Sequence, residues 1–390
     1  MLAVIDEMRR TFSFNGRENT KETAALKIVA RISSFVNLAA TVLPHHGTRI
    51  GVPHRFMQSL YTVAITNRVF PQVLDCFGNG FAVNANTAKE PWPPDVWLHN
   101  IAVADAVITF MPDCFTAGIL ERCPKLRLIS CALKGYDNFD IAACTCRGIT
   151  VTVVEDLLTV PTAELAVGLI ISLARNLMAS DRLVRSGNFR GWRPVLYGAG
   201  LAGSSVGLLG MGRIGRAIAE RLKPFDCTLL YWDRNRVAPE LEVKLGIRPA
   251  DWEELLERSD YVVLALPLTA ETTHLIDRKA LALMKPGAYL VNPARGSLVD
   301  EAAVAEALAS GHLGGYAADV FEFEDWARSD RPSTVHPALI KATDRTIFTP
   351  HLGSGVRNVR LAIELQAAQN VLDFFSGKEP RGIVRPECRA

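Results

Sequence analysis

Five segments of this 390-residue chain hold residue types that can do chemistry together. The first is Gly210-Met211-Gly212-Arg213-Ile214-Gly215, with glycines at the spacing G-x-G-x-x-G. In such a turn the first glycine permits the sharp bend. The second lets the backbone approach a pyrophosphate, and the third lets helix and strand pack closely. The amides of the turn, Arg213 and Ile214 included, would face the phosphates from a helix N-terminus. Alone the pattern is weak. Here it follows the strand-like Val206-Gly207-Leu208-Leu209, opens a helical stretch to Leu222, and has Asp233 eighteen residues beyond Gly215. A carboxylate at the end of that second strand accepts hydrogen bonds from an adenosine ribose and repels a 2′-phosphate, so NAD is expected. Arg234 beside it leaves room for some NADP use.

The other segments carry charge and proton chemistry. Arg295 lies in Asn292-Pro293-Ala294-Arg295-Gly296-Ser297, at a strand end suited to gripping an anion. His351 follows another strand in Phe348-Thr349-Pro350-His351, and its titration range suits proton exchange near neutrality. Glu324, in Asp319-Val320-Phe321-Glu322-Phe323-Glu324-Asp325, is the candidate to orient that imidazole, with Glu322 and Asp325 as rivals. Lys134 lies between an apolar strand and a glycine turn, in Cys131-Ala132-Leu133-Lys134-Gly135. With Arg295 it would form a doubly cationic site for a compact anion. For each of these the competing reading is a surface or packing role, and for Lys134 a solvated loop.

These groups need a scaffold. Hydrophobic residues make up 49% of the chain and charged ones 22%, enough for two cores of ordinary size. Strands are expected at 61–66, 80–84, 104–110, 126–131 and 149–154, with helical stretches near 69–76 and 114–122. One long apolar helix is expected from Thr162 to about Arg185, begun by Pro161 and buried through Ala163, Ala166, Val167, Ile170, Ile171 and Ala174. From Ser205 onward strands and helices alternate, which implies α/β architecture with a doubly wound parallel sheet. A last helix, roughly Val356 to Ser376, should return to the first unit.

The net charge of +2 gives no reason to expect nucleic acid. No run of eighteen uncharged apolar residues suggests a membrane partner. Eight cysteines without CxxC pairs fit thiols in a reducing cytoplasm, and no metal is expected. Residues 1–57 hold eight Lys/Arg and four Asp/Glu and read as an extension, with translation starting at Met57.

Taken in order, GMGRIG, the acid after the second strand, NPARGS, ADVFEFE and TPHLGS resemble the D-isomer-specific 2-hydroxyacid dehydrogenase family over about residues 58–377. The resemblance implies two Rossmann-like domains with a cleft between them, a homodimer, and a small anionic substrate. It implies a substrate-binding domain from 58–157 plus 352–390 and an NAD domain over 158–351. It puts the catalytic roles on His351, Glu324 and Arg295.

CALKGYDNFD, DLLTVPTAEL and DVFEFEDWARSDRP narrow the resemblance to the phosphite (phosphonate) dehydrogenases of that family. By that match Lys134, Met111, Trp192, Tyr197 and Arg360 line or support the substrate site. Thr162, Pro293 and Asp319 stand near the nicotinamide, and Pro267 joins the cofactor-binding residues. The implied reaction is phosphite, NAD⁺ and water giving phosphate, NADH and a proton. The rival is NAD-dependent oxidation or reduction of a small 2-hydroxy or 2-oxo acid. A nucleotide-sensing regulator without turnover is a third class, against which the intact Arg295, Glu324 and His351 argue.

Overall fold

The computed structural model describes residues 61–385. The expected extension, and with it the question of a start at Met57, lies outside them. Two all-parallel sheets organise the described chain. The first contains β1 (Tyr61–Ile65), β2 (Phe81–Ala85), β3 (Ala106–Thr109), β4 (Leu128–Cys131) and β5 (Thr150–Thr152), in the order β2-β1-β3-β4-β5. The second contains β6 (Ser205–Leu209), β7 (Thr228–Trp232), β8 (Ile247–Pro249), β9 (Tyr261–Leu264), β10 (Tyr289–Asn292), β11 (Gly315–Ala318) and β12 (Thr346–Phe348). Its order is β12-β11-β10-β9-β6-β7-β8. Both are Rossmann-like. In each, the strand order reverses beside the first strand of the unit, the place where α/β sheets open a crevice.

Apolar runs explain the strands. β3, β4, β9 and β11 are buried at every position, as strands covered on both faces must be. The expected strands are present and mostly a residue or two shorter. The short edge strand β8 and the helices at Pro94–Ala102 and Ile141–Cys146 were not anticipated.

The long helix expected from Thr162 to Arg185 is two helices, α1 (Thr159–Ala174) and α2 (Leu177–Arg185), bent by 63°. Asn176 between them has φ +52, a left-handed conformation that asparagine tolerates and that ends the helical ladder. Helix α1 also begins earlier than expected. Pro161 therefore falls in the first turn, where a missing N–H is harmless. Thr162 does not cap: its hydroxyl donates to the Leu158 carbonyl at 2.7 Å. Ala163, Ala166 and Ile170 are fully buried and pack against Ala217 and Ile218 of α3 (Arg213–Leu222), whereas Val167 and Ile171 are only partly covered. Among the described residues no single helix is long and apolar enough to cross a membrane. The bent α1–α2 pair would pass only by length and composition.

A short helix, α4 (Pro239–Leu245), follows β7. The final helix, α5 (Arg357–Phe375), packs on the first sheet, with Ile363, Ala367, Ala368 and Val371 against Val63, Ile65, Ile108 and Leu128. Ser130 donates to the Ala367 carbonyl at 2.9 Å, and Asn370 donates to the Thr152 hydroxyl at 3.1 Å.

Candidate active site

The glycine turn sits where β6 and β9 part. Gly210 has φ +99, and a Cβ there would lie 2.6 Å from the Ala265 carbonyl oxygen just after β9. A Cβ on Gly215 would fall 2.1 Å from the Gly210 oxygen. Gly212 differs: a Cβ there would meet nothing within 4 Å, and no side chain caps α3. Tight backbone behind, open space in front and uncapped amides are what a pyrophosphate needs, so these residues fit a dinucleotide.

Asp233 stands at the end of β7. Its Oδ2 accepts from the Met211 amide at 2.7 Å and its Oδ1 from the Asn235 amide at 3.2 Å. An ionised carboxylate offers about four acceptor sites, so capacity for ribose hydroxyls remains. Arg234 is exposed and Ile214 packs partly into the core. Arg213 pairs at 3.3 Å with Asp156, whose carboxyl is held below its usual range by the Thr159 hydroxyl first, and further by Arg213 and Lys134. Pro267 is exposed beyond β9, and its carbonyl accepts from the Thr272 hydroxyl at 2.9 Å.

The chemistry-bearing turns follow β10, β11 and β12. After β10, the Asn292 amide donates to the Arg295 carbonyl at 2.7 Å and closes the turn that contains buried Pro293. Gly296 packs directly on the next loop, where a Cβ would fall 1.9 Å from the Phe321 carbonyl carbon. The Ser297 amide donates to Asp325 at 2.6 Å. Burial raises the Asp325 carboxyl above its usual range.

Of the three acids proposed to orient His351, one does so. Glu324 Oε2 lies 2.9 Å from His351 Nδ1, while its Oε1 accepts from the Phe321 amide at 2.9 Å. Glu322 instead faces His274 at 2.9 Å and accepts from the Glu301 amide. Because an ionised carboxylate can only accept, Nδ1 carries the proton and Nε2 is left for exchange.

His351 has φ +55, a strained conformation for a non-glycine residue. Asp319, 1% exposed, holds it there. Its carboxylate accepts from Thr349 Oγ1 and from the Leu352 and Gly353 amides at 2.5–2.8 Å, and its carbonyl accepts from the His351 amide at 2.8 Å. Thr162 abuts the same loop: a Cβ on Gly353 would lie 3.1 Å from its hydroxyl.

The first sheet contributes the loop after β4. A Cβ on Gly135 would lie 1.6 Å from Arg295 Nη2, so glycine is needed for the guanidinium to lie against this loop. Arg295 donates to Asp137 at 3.2–3.3 Å through Nε and Nη2, and to the Ala294 carbonyl at 2.8 Å through Nη1. Asp137 was missed, although it stands only three residues beyond Lys134. Lys134 is half-buried, and among the described residues its ammonium has no hydrogen-bond partner.

Met111 holds the loop through its carbonyl, which accepts from Asn138 at 3.0 Å. Arg360 bridges it to the His351 loop, reaching the Ala132 carbonyl and the Ser354 hydroxyl at 3.4 Å each. Burial lowers the Arg360 pKa from its usual value.

Trp192 and Tyr197 are not brought to this place within the chain. They are 82% and 74% exposed and line a separate surface pocket of about 690 Å³ with Leu177, Val184 and Phe189.

Residues 167–353 match the model of the "D-isomer specific 2-hydroxyacid dehydrogenase, NAD binding domain". A glyoxylate reductase of Pyrococcus horikoshii is 39% identical over 326 residues, covering 82% of this chain and 95% of that protein. One from Thermococcus litoralis is 38% identical over 306 residues, covering 77% and 89%. The chain belongs to the D-isomer-specific 2-hydroxyacid dehydrogenase family. Its cofactor is NAD.

Solved structures agree. The TT0316 protein of Thermus thermophilus matches with TM-score 0.74 and 34% identity, over 83% of this chain and 100% of that one. A putative D-isomer specific 2-hydroxyacid dehydrogenase from Polaromonas also has TM-score 0.74, at 29% identity, over 84% and 100%. None of these relatives carries phosphite in its name, so the narrower resemblance stands on its motifs.

Proposed function

We propose that this family member oxidises phosphite to phosphate with NAD, holding the anion between Lys134 and Arg295 and passing a proton to His351. One observation carries the reading: loops from the two sheets converge, with Gly135, next to Lys134, seated against the Arg295 guanidinium. A carboxylate is satisfied by one forked cation. A compact anion with three oxygens and up to two charges is better matched by two cations.

Bound NAD would supply the hydride acceptor at its nicotinamide. The chain's own residues would do the rest. Lys134 and Arg295 would neutralise charge growing on the phosphorus oxygens, with the anion replacing part of Asp137's hold on Arg295. His351 would accept a proton at Nε2 from the attacking water, and Glu324 would favour the imidazolium.

The second reading is a small 2-hydroxy or 2-oxo acid. The relatives' names support it more directly than phosphite, since glyoxylate reductases recur among them at 34–39% identity. There Arg295 would hold the carboxylate and His351 would exchange the hydroxyl proton. The two readings part on substrate. NADH absorbance would be followed with NAD and phosphite, D-lactate or D-glycerate, and with NADH and glyoxylate. Phosphite-dependent NADH formation far above the others is expected. Strong turnover of glyoxylate or a hydroxy acid, with none of phosphite, overturns the first reading in favour of the second.

We also infer a substrate-binding domain of 58–157 plus 352–390 around an NAD domain of 158–351, supported by α5 packing on the first sheet. A homodimer is the assembly we propose. The exposed apolar side chains of Leu177, Val184, Phe189, Trp192 and Tyr197 support it, and sedimentation tests it.

A further inference from the structure

Beyond Asp233 the chain presents two arginines, and the structure treats them differently. Arg234 is exposed and has no ion-pair partner among the described residues. Arg236 is held in a two-pronged pair: its Nε and Nη2 each donate to one oxygen of Glu242, on α4, at 2.9 Å. Glu242 is 9% exposed and is fixed in turn, because its Oε1 accepts from the Tyr231 hydroxyl at 2.6 Å. That hydroxyl accepts from the Val237 amide at 3.2 Å. The whole turn from β7 to α4 is thereby tied down, with Arg236 facing Glu242.

An arginine just past this strand is the group that accommodates the 2′-phosphate of NADP. Arg236 lies three residues from Asp233, with a fork suited to phosphate, yet that fork is already committed. We propose that Glu242 is a specificity-determining residue, which favours NAD by withholding Arg236 from a 2′-phosphate. Selectivity then has two parts: Asp233 repels the phosphate, and Glu242 removes a cation that would attract it. This rests on the dinucleotide site alone and stands whichever substrate the enzyme takes.

The test is calorimetric binding of 2′,5′-ADP and of 5′-AMP to the full chain, which needs no substrate and no turnover. Glu242→Gln keeps the shape and can still accept from Tyr231. Its amide nitrogen cannot accept from Arg236 Nη2, so the fork loses one prong and its counter-charge, keeps only the Nε bond to a neutral oxygen, and is loosened. The affinity ratio of 2′,5′-ADP to 5′-AMP should rise about tenfold in this variant, as one new charge-assisted bond to phosphate allows. Adding Arg236→Ala to it should return the ratio to the wild-type value.

Arg236→Ala alone, a change at an exposed side chain whose folding its melting temperature checks, should leave the ratio unmoved. A fall would mean that Arg236 already serves the phosphate and would overturn the proposal even if Glu242→Gln did not fold. An unchanged ratio in folded Glu242→Gln, checked by its melting temperature, overturns it as well.

Discussion

The two sheets offer the same crevice, and only one is left open. In the first sheet the reversal lies between β1 and β3, and the residue directly after β1 is Thr66. Asp113, 6% exposed, fills the gap: it accepts from the Thr66 hydroxyl at 2.5 Å, the Trp97 indole at 2.7 Å and the Phe110 amide at 2.8 Å. Asn86, after β2, adds a bond to the Thr66 carbonyl at 3.1 Å. In the second sheet the corresponding residue, directly after β6, is Gly210, with open space before Gly212. Topology therefore provides a ligand crevice twice, and the side chains at the strand ends decide which one a dinucleotide can enter. The plugged half keeps a different task, presenting Lys134 across to Arg295.

This contrast can be broken by substitution. If the chemistry belongs to the open half, His351→Asn should lower kcat by about a hundredfold to ten-thousandfold while calorimetric NAD affinity holds. Near-normal turnover would remove His351 from its role. Gly210→Ala should close the open crevice, since it meets both φ +99 and the Ala265 backbone. A melting curve should show a loss of about 3 kcal/mol, with NAD binding abolished. Retained NAD binding would mean that the turn yields more readily than its packing implies. Lys134→Ala tests the plugged half's contribution. KM for the anion should rise about tenfold to a hundredfold with a smaller change in kcat, as for one lost charge-assisted bond. A normal KM would return Lys134 to a solvated loop.

What was legible in the sequence follows the same division. The glycine turn and the helix from Arg213 to Leu222 were readable to the residue, because local patterns fix them. The cluster of Arg295, Glu324 and His351 was readable as three turns after three strands. Its internal pairing was readable only as a ranking: Glu324 stood first and is the acid that meets His351, but separating it from Glu322 and Asp325 depends on which way a 3₁₀ turn directs alternate side chains. The break at Asn176 was hidden because apolar spacing runs on through it, and the left-handed residue is set by bonds to the distant Leu196 and Tyr197 carbonyls at 3.3 Å. Asp137 escaped for a similar reason. Its partner Arg295 is 158 residues away, and local pattern carries no trace of such a pair.

The smallest predicted effect concerns the plug itself. Burial pushes the Asp113 carboxyl up to about 6, against the lowering influence of its three donors. Its folded pKa thus lies above its unfolded value of 3.8, so between the two the folded chain binds more protons than the unfolded one. Stability from this group is greatest below the unfolded pKa and is lost as pH rises through about 6, above which the buried charge is formed. Asp113→Asn removes the titration. Its oxygen can still accept from Thr66 and Phe110, while the bond from Trp97 is lost at every pH, a constant cost of about 1–3 kcal/mol. Urea unfolding from about pH 4 to about pH 7 should therefore show the wild type losing ground to the variant by up to roughly 3 kcal/mol, at about 1.4 kcal/mol per unit. A level difference would mean that the three donors offset burial in full, so that Asp113 ionises as readily in the fold as in the unfolded chain, and a difference widening in the wild type's favour would mean that they hold its pKa below 3.8.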